Sequence, residues 1–266
     1  MTDGEDESEA VRSDESPSSR GHHERRGGGR RLEDRIERAR DAASLAVHEL
    51  RAPLTVAAGY ASLILDGSLG PGSERWSKAV EIIADKLVVA NGLVDGLLLL
   101  ARLDDESAAP ARADFDLVAA ASAGRERAQS RADQIGGTFT FETEKAEVHA
   151  LGDERMVATV VDNLINNALL YGGEAPAVTI HVGQSEGPTI TVTDHGRGIP
   201  VDARRRIFER FFRVVDHSSV PGSGLGLYLC SQLARRQGGT VSLDWSEMGQ
   251  GSTFSLRLPA APASTR

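Results

Sequence analysis

Apolar positions along the chain follow two different periods. Val47, Leu50, Leu54, Ala57, Ala61 and Ile64 step by three and four, which predicts a helix within residues 32–65. The run Gly67-Ser68-Leu69-Gly70-Pro71-Gly72 breaks it. A second helix follows, with Ser73 as its expected N-cap and a seam of Trp76, Val80, Ile83, Leu87, Ala90, Val94, Leu97 and Ala101. Strict four-three alternation over several turns is the spacing of a left-handed bundle seam. Two long helices joined by a short loop form a thin hairpin. Pairing two hairpins into a four-helix bundle buries both seams, so a homodimer is expected. The alternative is a hairpin packed only on the chain's own second domain.

Beyond about residue 115 helical and strand patterns alternate. Ala119–Gln134, Val157–Leu170 and Leu225–Gln237 read as helices. Thr138–Glu142, Val178–Val182, Thr189–Thr193 and Thr253–Leu258 read as strands. Hairpin-linked strands with segregated helices predict an α+β fold, a two-layer sandwich following the helical hairpin. The expected boundaries are a disordered tail over 1–31, acidic and then Gly/Arg-rich, and a hairpin over 32–105. A linker over 106–114, a second domain over 115–259 and a free tail over 260–266 complete them.

A formal net charge of −9 argues against a general nucleic-acid binder, which carries a basic surface. The single cysteine, Cys230, excludes an intramolecular disulfide, and its apolar helical setting predicts a buried, inert thiol. No run of about 18 apolar residues is present, so no membrane span is expected. The N-terminus is acidic and polar, unlike a signal peptide, and the expected compartment is the cytoplasm.

Five short motifs carry the chemistry. In order they are His48-Glu49-Leu50-Arg51-Ala52-Pro53-Leu54, Asn163-Leu164-Ile165-Asn166-Asn167-Ala168, Asp194-His195-Gly196-Arg197-Gly198-Ile199, Ile207-Phe208-Glu209-Arg210-Phe211-Phe212-Arg213 and Gly222-Ser223-Gly224-Leu225-Gly226-Leu227. The set, in this order and at this spacing, resembles the H, N, G1, F and G2 boxes of the sensor histidine kinases of bacterial two-component systems. The resemblance covers roughly residues 38–258. It implies a dimeric phosphoacceptor hairpin followed by a gyrase-like (Bergerat) ATP-binding domain.

His48 falls one position past Val47, off the apolar seam, on a polar face with Arg51, Thr55, Ser62 and Asp66. A neutral imidazole is a good nucleophile near physiological pH. By the resemblance His48 is the phosphoacceptor and Glu49 the base that orients it. Pro53, inside the helix, lacks an N–H and is expected to bend it locally. The family commonly has Thr or Asn four residues after the histidine, where it positions the water that dephosphorylates the partner. Ala52 stands there and has no hydrogen-bonding side chain, so phosphatase activity is expected to be weak or absent.

Asn163 and Asn167 lie four apart and share a helix face. Amide oxygens suit Mg²⁺, which also keeps water and phosphate ligands. By the resemblance Asn167 is the Mg²⁺ ligand, Asn163 contacts phosphate, and Asp194 accepts the adenine amino group. Leu170 occupies a position where the family often has lysine, while Tyr171 keeps the usual aromatic. Gly196 and Gly198 permit close backbone approach. A loop of Gly222, Gly224, Leu225 and Gly226 opening a helix would direct N–H groups at phosphate. Between Pro200 and Pro221 lies a candidate lid. Arg213, ahead of Arg210, is the expected cation for the γ-phosphate, and Phe208, Phe211 and Phe212 the expected anchors. Residues Val214–Ser219 are expected to be mobile.

These readings converge on an ATP- and Mg²⁺-dependent protein histidine kinase that phosphorylates His48 and passes the phosphoryl group to an aspartate of a response regulator. An upstream sensory protein is a possible further partner. The alternatives are a degenerate kinase serving as a nucleotide-binding scaffold, and a gyrase-like domain that phosphorylates serine on an anti-sigma partner.

Overall fold

The computed structural model describes residues 47–103, 111–214 and 222–262. The expected tail over 1–31, the helix before residue 47, linker residues 106–110 and most of the expected mobile segment lie outside the described residues. The chain divides into two compact units, Met1–His48 and Glu49–Arg266. The first contributes only Val47 and His48 to the description.

Residues 47–65 are helical (α1). The turn that follows relies on Gly67, Gly70 and Gly72, all at positive φ. Ser73 Oγ accepts the Trp76 N–H at 3.1 Å, the expected cap of α2 (Glu74–Leu103). Within one chain α2 buries only part of the expected seam. Ala79, Ala90, Leu93 and Leu100 are buried, whereas Val80, Leu87 and Val94 stay exposed at 41%, 45% and 41%. These last three repeat every seven residues and form an apolar stripe that no other described residue covers.

The second domain begins with β1 (Ala113–Asp116), paired antiparallel with β3 (His149–Gly152). Residues Ala113 and Asp114, expected as linker, are therefore strand; His149 Nδ1 and Asp114 Oδ1 meet across this pair at 2.8 Å. Asp116 ends β1 and caps α3 (Leu117–Gln134), accepting the N–H groups of Val118 and Ala119. A five-stranded sheet runs β2 (Thr138–Thr143), β4 (Ala177–Gly183), β5 (Thr189–Asp194), β7 (Gly251–Arg257) and β6 (Thr240–Glu247). Only β2–β4 is parallel. Strand alternation buries Val178, Ile180 and Val182 of β4, Ile190 and Val192 of β5, and Phe254 and Leu256 of β7. The helices α3, α4 (Glu154–Tyr171) and α5 (Gly226–Arg236) cover that face, which makes the expected two-layer α+β sandwich. Asp153 caps α4, and its own N–H donates to the buried Gln237 Oε1 at 2.7 Å, which ties the start of α4 to the end of α5.

Two strands went unread in the sequence besides β1. β3 is only four residues long, and β6 carries a bulge between Leu243 and Trp245 that shifts its alternation. The expected free C-terminal tail is pinned at its start: the Leu151 N–H donates to Pro259 O at 2.9 Å, and Ala260 bridges Ala150. Cys230 is fully buried, and burial pushes its thiol up to about 12, as expected of an inert cysteine.

Candidate nucleotide site

One cavity of about 220 Å³ opens between α4, the ends of β5 and β7, and the segments on either side of residues 215–221. Each element delivers its side chains for a local reason. On α4 the apolar stripe Val157, Val160, Val161, Leu164, Ile165, Ala168 and Leu169 faces the core. That leaves Asn163, Asn167, Leu170 and Tyr171 for the cavity. The Asn163 amide N–H donates to Thr159 O at 2.9 Å, so its oxygen is free to turn toward α5, where a Cβ at Gly226 would sit 3.0 Å from it. Asn166 is turned away and accepts from Arg131 at 2.9 Å.

On β5 the alternation that buries Ile190 and Val192 brings Asp194 to the cavity as the next inward position, 5% exposed. The Gly196 N–H donates to Asp194 Oδ1 at 2.9 Å. Burial raises the Asp194 carboxyl above the usual carboxylate range, and the N–H groups of Gly196 and Ser252 partly offset this. The glycine segment that follows is wedged between backbones. A Cβ on Gly196 would lie 2.0 Å from Tyr171 O, and one on Gly198 would lie 2.0 Å from Glu247 O at a φ of +70°. Only glycine fits there.

The described part of the candidate lid divides its side chains between two clusters. Phe208 meets Phe254 edge to face at 6.5 Å, and Phe212 packs on the main core. Phe211, at a φ of +59°, packs instead with Leu93, Leu100, Leu225 and Leu229. The F-box phenylalanines thus anchor on both the sandwich and α2, as expected. Arg210 stacks over the Tyr228 ring at 4.7 Å, whereas Arg213 lines the cavity. Burial pushes the Tyr171 hydroxyl up, and the guanidinium groups of Arg213 and Arg197 pull it back.

Of the second glycine box, Gly222, Gly224 and Gly226 line the cavity. Leu225 does not line the cavity. Its side chain is 1% exposed and packs against Leu93, Leu100 and Leu229, where Gly96 leaves room: a Cβ there would meet Leu225 Cδ1 at 3.1 Å. Ile199, Ile207, Ser252 and Phe254 also line the cavity, and sequence reasoning missed them. Ser252 was legible only through register, because it pairs with Asp194 across β5–β7. On α1, His48 is exposed and Glu49 half-buried. Arg51, Thr55 and Ser62 of the same polar face are exposed too.

Asn163 and Asn167 offer neutral amide oxygens beside a glycine-lined wall, and among the described residues no group of three or more His, Cys, Asp or Glu could hold a metal. That donor set fits a Mg²⁺ that takes its other ligands from phosphate and water.

Comparison with known proteins decides the family. The family model of the His Kinase A (phospho-acceptor) domain matches residues 38–106, and that of the histidine kinase-, DNA gyrase B- and HSP90-like ATPases matches residues 152–262. The chain belongs to the sensor histidine kinases. It is 32% identical over 216 residues to the sensor protein SrrB of Staphylococcus aureus, an alignment that covers 80% of this chain and 36% of SrrB. The chain thus spans about a third of the length of the curated relatives it matches. Full-length ShkA, solved in complex with AMPPNP, is 29% identical at a TM-score of 0.58, covering 84% of this chain and 46% of ShkA. The Acinetobacter baumannii histidine kinase AdeS shares the fold at a TM-score of 0.61 and 22% identity, covering 81% of this chain and 98% of AdeS. ThkA in complex with the response regulator TrrA does so at 0.68 and 19%, covering 90% and 67%. No helix among the described residues of this kinase-family chain is long and apolar enough to cross a membrane.

Proposed function

We propose that this chain is the catalytic portion of an ATP-dependent protein histidine kinase that phosphorylates itself on His48 and then passes the phosphoryl group to an aspartate of a response regulator. The observation that carries this reading is the convergence of Asn163, Asn167, Asp194, Arg213 and the glycines 222, 224 and 226 on one cavity, in a chain that also presents an exposed histidine on α1. Asp194 accepts the amino group of adenine. The glycine segment opening α5 directs its N–H groups, and the positive end of the helix, at the phosphates. Asn167 would hold Mg²⁺, which neutralises charge between the phosphate groups when bound. Arg213 stabilises the charge that spreads over the transferring phosphoryl oxygens. Glu49, adjacent to His48, takes the imidazole proton as the nitrogen attacks. The AMPPNP complex of ShkA supports the nucleotide assignment. The compartment proposed is the cytoplasm. The test is a relay: chain labelled from γ-labelled ATP is mixed with a receiver domain. Label should leave the kinase and appear on the receiver; label that never reaches the chain despite bound ATP would favour the scaffold reading.

The kinase works as a homodimer, supported by the uncovered heptad stripe of Val80, Leu87 and Val94. Leu87→Asp is expected to shift the purified chain from dimer to monomer in sedimentation; an unchanged dimer would contradict the stripe as the seam.

Ala52 is exposed on α1 beside the His48 face and cannot orient water. A phosphorylated receiver incubated with the kinase and ADP should decay at no more than about its own rate, and Ala52→Thr should accelerate that decay several-fold. Decay with the unaltered chain well above the receiver's own rate would contradict this.

A further inference from the structure

Residues 204–206 are three consecutive arginines, yet they do different things. Arg205 is exposed, and Arg206 stacks over Phe212 at 4.3 Å. Arg204 turns inward. Its Nε donates to Ile199 O at 3.1 Å and its Nη2 donates to Ser246 O. Ser246 is buried and completes the connection from the other side: the Ile199 N–H donates to Ser246 Oγ at 2.8 Å. One guanidinium and one hydroxyl therefore join the backbone just after Gly198 to strand β6.

The Ser246 hydroxyl has a single proton, and it goes to Gly251 O at 3.1 Å. In the 3.0 Å pair between Ser246 Oγ and Ser252 Oγ, the donor must then be Ser252. Ser252 lines the cavity, and its backbone N–H holds the Asp194 carboxylate. With its proton committed inward, Ser252 presents lone pairs to the cavity beside that carboxylate. Both groups on this edge accept, so the edge fits a ligand that donates.

We infer that Arg204 and Ser246 are positioning residues that fix the Gly198–Ile199 backbone and the proton of Ser252, and so set selectivity for a purine carrying an exocyclic amino group. The inference rests on the nucleotide-site reading of the cavity. Neither residue touches the base; they act through Ile199 and Ser252. Lysine in place of Arg204 could reach one carbonyl but not bridge two, because it is a point donor without the planar fork.

The test uses the full chain and two nucleotides, ADP and inosine 5′-diphosphate, which has a keto oxygen where ADP has the amino group. Dissociation constants are measured by calorimetry for wild type, Arg204→Gln, Arg204→Lys and Ser246→Ala, with melting temperatures alongside. Wild type should prefer ADP by about 100-fold. Arg204→Gln and Ser246→Ala should each weaken ADP by about 10-fold and leave the inosine nucleotide nearly unchanged, so that the preference falls to about 10-fold; Arg204→Lys should fall between. A purely structural role would weaken both nucleotides alike, and a preserved preference in the folded variants overturns the inference. Should one variant fail to fold, the others carry the same readout. Wild type that binds no ADP overturns the nucleotide-site reading itself, a different result from wild type that binds well with variants that keep its preference.

Discussion

Asp194→Asn is expected to weaken ATP and ADP binding by about 100-fold or more, while the empty protein melts at a higher temperature than wild type. In the proposed site a buried carboxylate that accepts from the adenine amino group is replaced by an amide whose NH₂ faces that group, and a site built around one hydrogen bond rejects a mismatched partner strongly. The stability effect has the opposite sign. Burial raises the Asp194 pKa in the folded chain above its unfolded value. The folded state therefore binds more protons in the window between the ordinary carboxylate value and the raised one, so wild-type stability falls as pH rises through it. Above that window the buried charge is a standing cost, and asparagine carries none. Calorimetric titration with ADP and thermal melts at pH 7 check both halves. Tight ADP binding by the variant would remove Asp194 from the base site.

Arg213→Ala is expected to slow autophosphorylation by about 100-fold at saturating ATP, with ADP binding changed only a few-fold. Leu170 lines the cavity where the family often has a cation, and Arg210 stacks on the Tyr228 ring, so in the proposed mechanism Arg213 is the main cation for the outer phosphate. Charge that builds on the transferring phosphoryl is met mainly by this guanidinium, and the loss belongs to the transition state more than to binding. Single-turnover rates with labelled ATP, set beside ADP affinity, separate the two. Loss confined to ADP affinity, with an intact rate, would place Arg213 in ground-state binding.

The elements that carry the motifs were legible because their chemistry and their periodicity coincide. The α4 stripe leaves Asn163 and Asn167 on the cavity side, and the β5 alternation ends on Asp194. Ser73 caps α2 as its residue type requires. What escaped depends on partners distant in sequence. Leu225 sits inside a glycine box, but Gly96, far upstream, opens the notch that takes its side chain. Ser252 enters the cavity only because β7 pairs with β5 in that register. The stripe at Val80, Leu87 and Val94 is expected to be buried between two hairpins, and periodicity cannot say which chain covers it; within one chain α2 turns Leu93 and Leu100 inward. β1 and β3 are four residues each, too short for an alternation to show. Ala52, by contrast, was readable as a departure from the family pattern because one missing functional group is visible in sequence alone.

The most direct measurement incubates the purified chain and its His48→Gln variant with γ-labelled ATP and Mg²⁺, and locates the label by peptide mass spectrometry under alkaline conditions. Acid-labile phosphate on His48 of the wild type, absent from a variant that still binds ADP, is the expected result. Label on another residue, or equal label on the variant, would contradict the assignment of His48 as the acceptor.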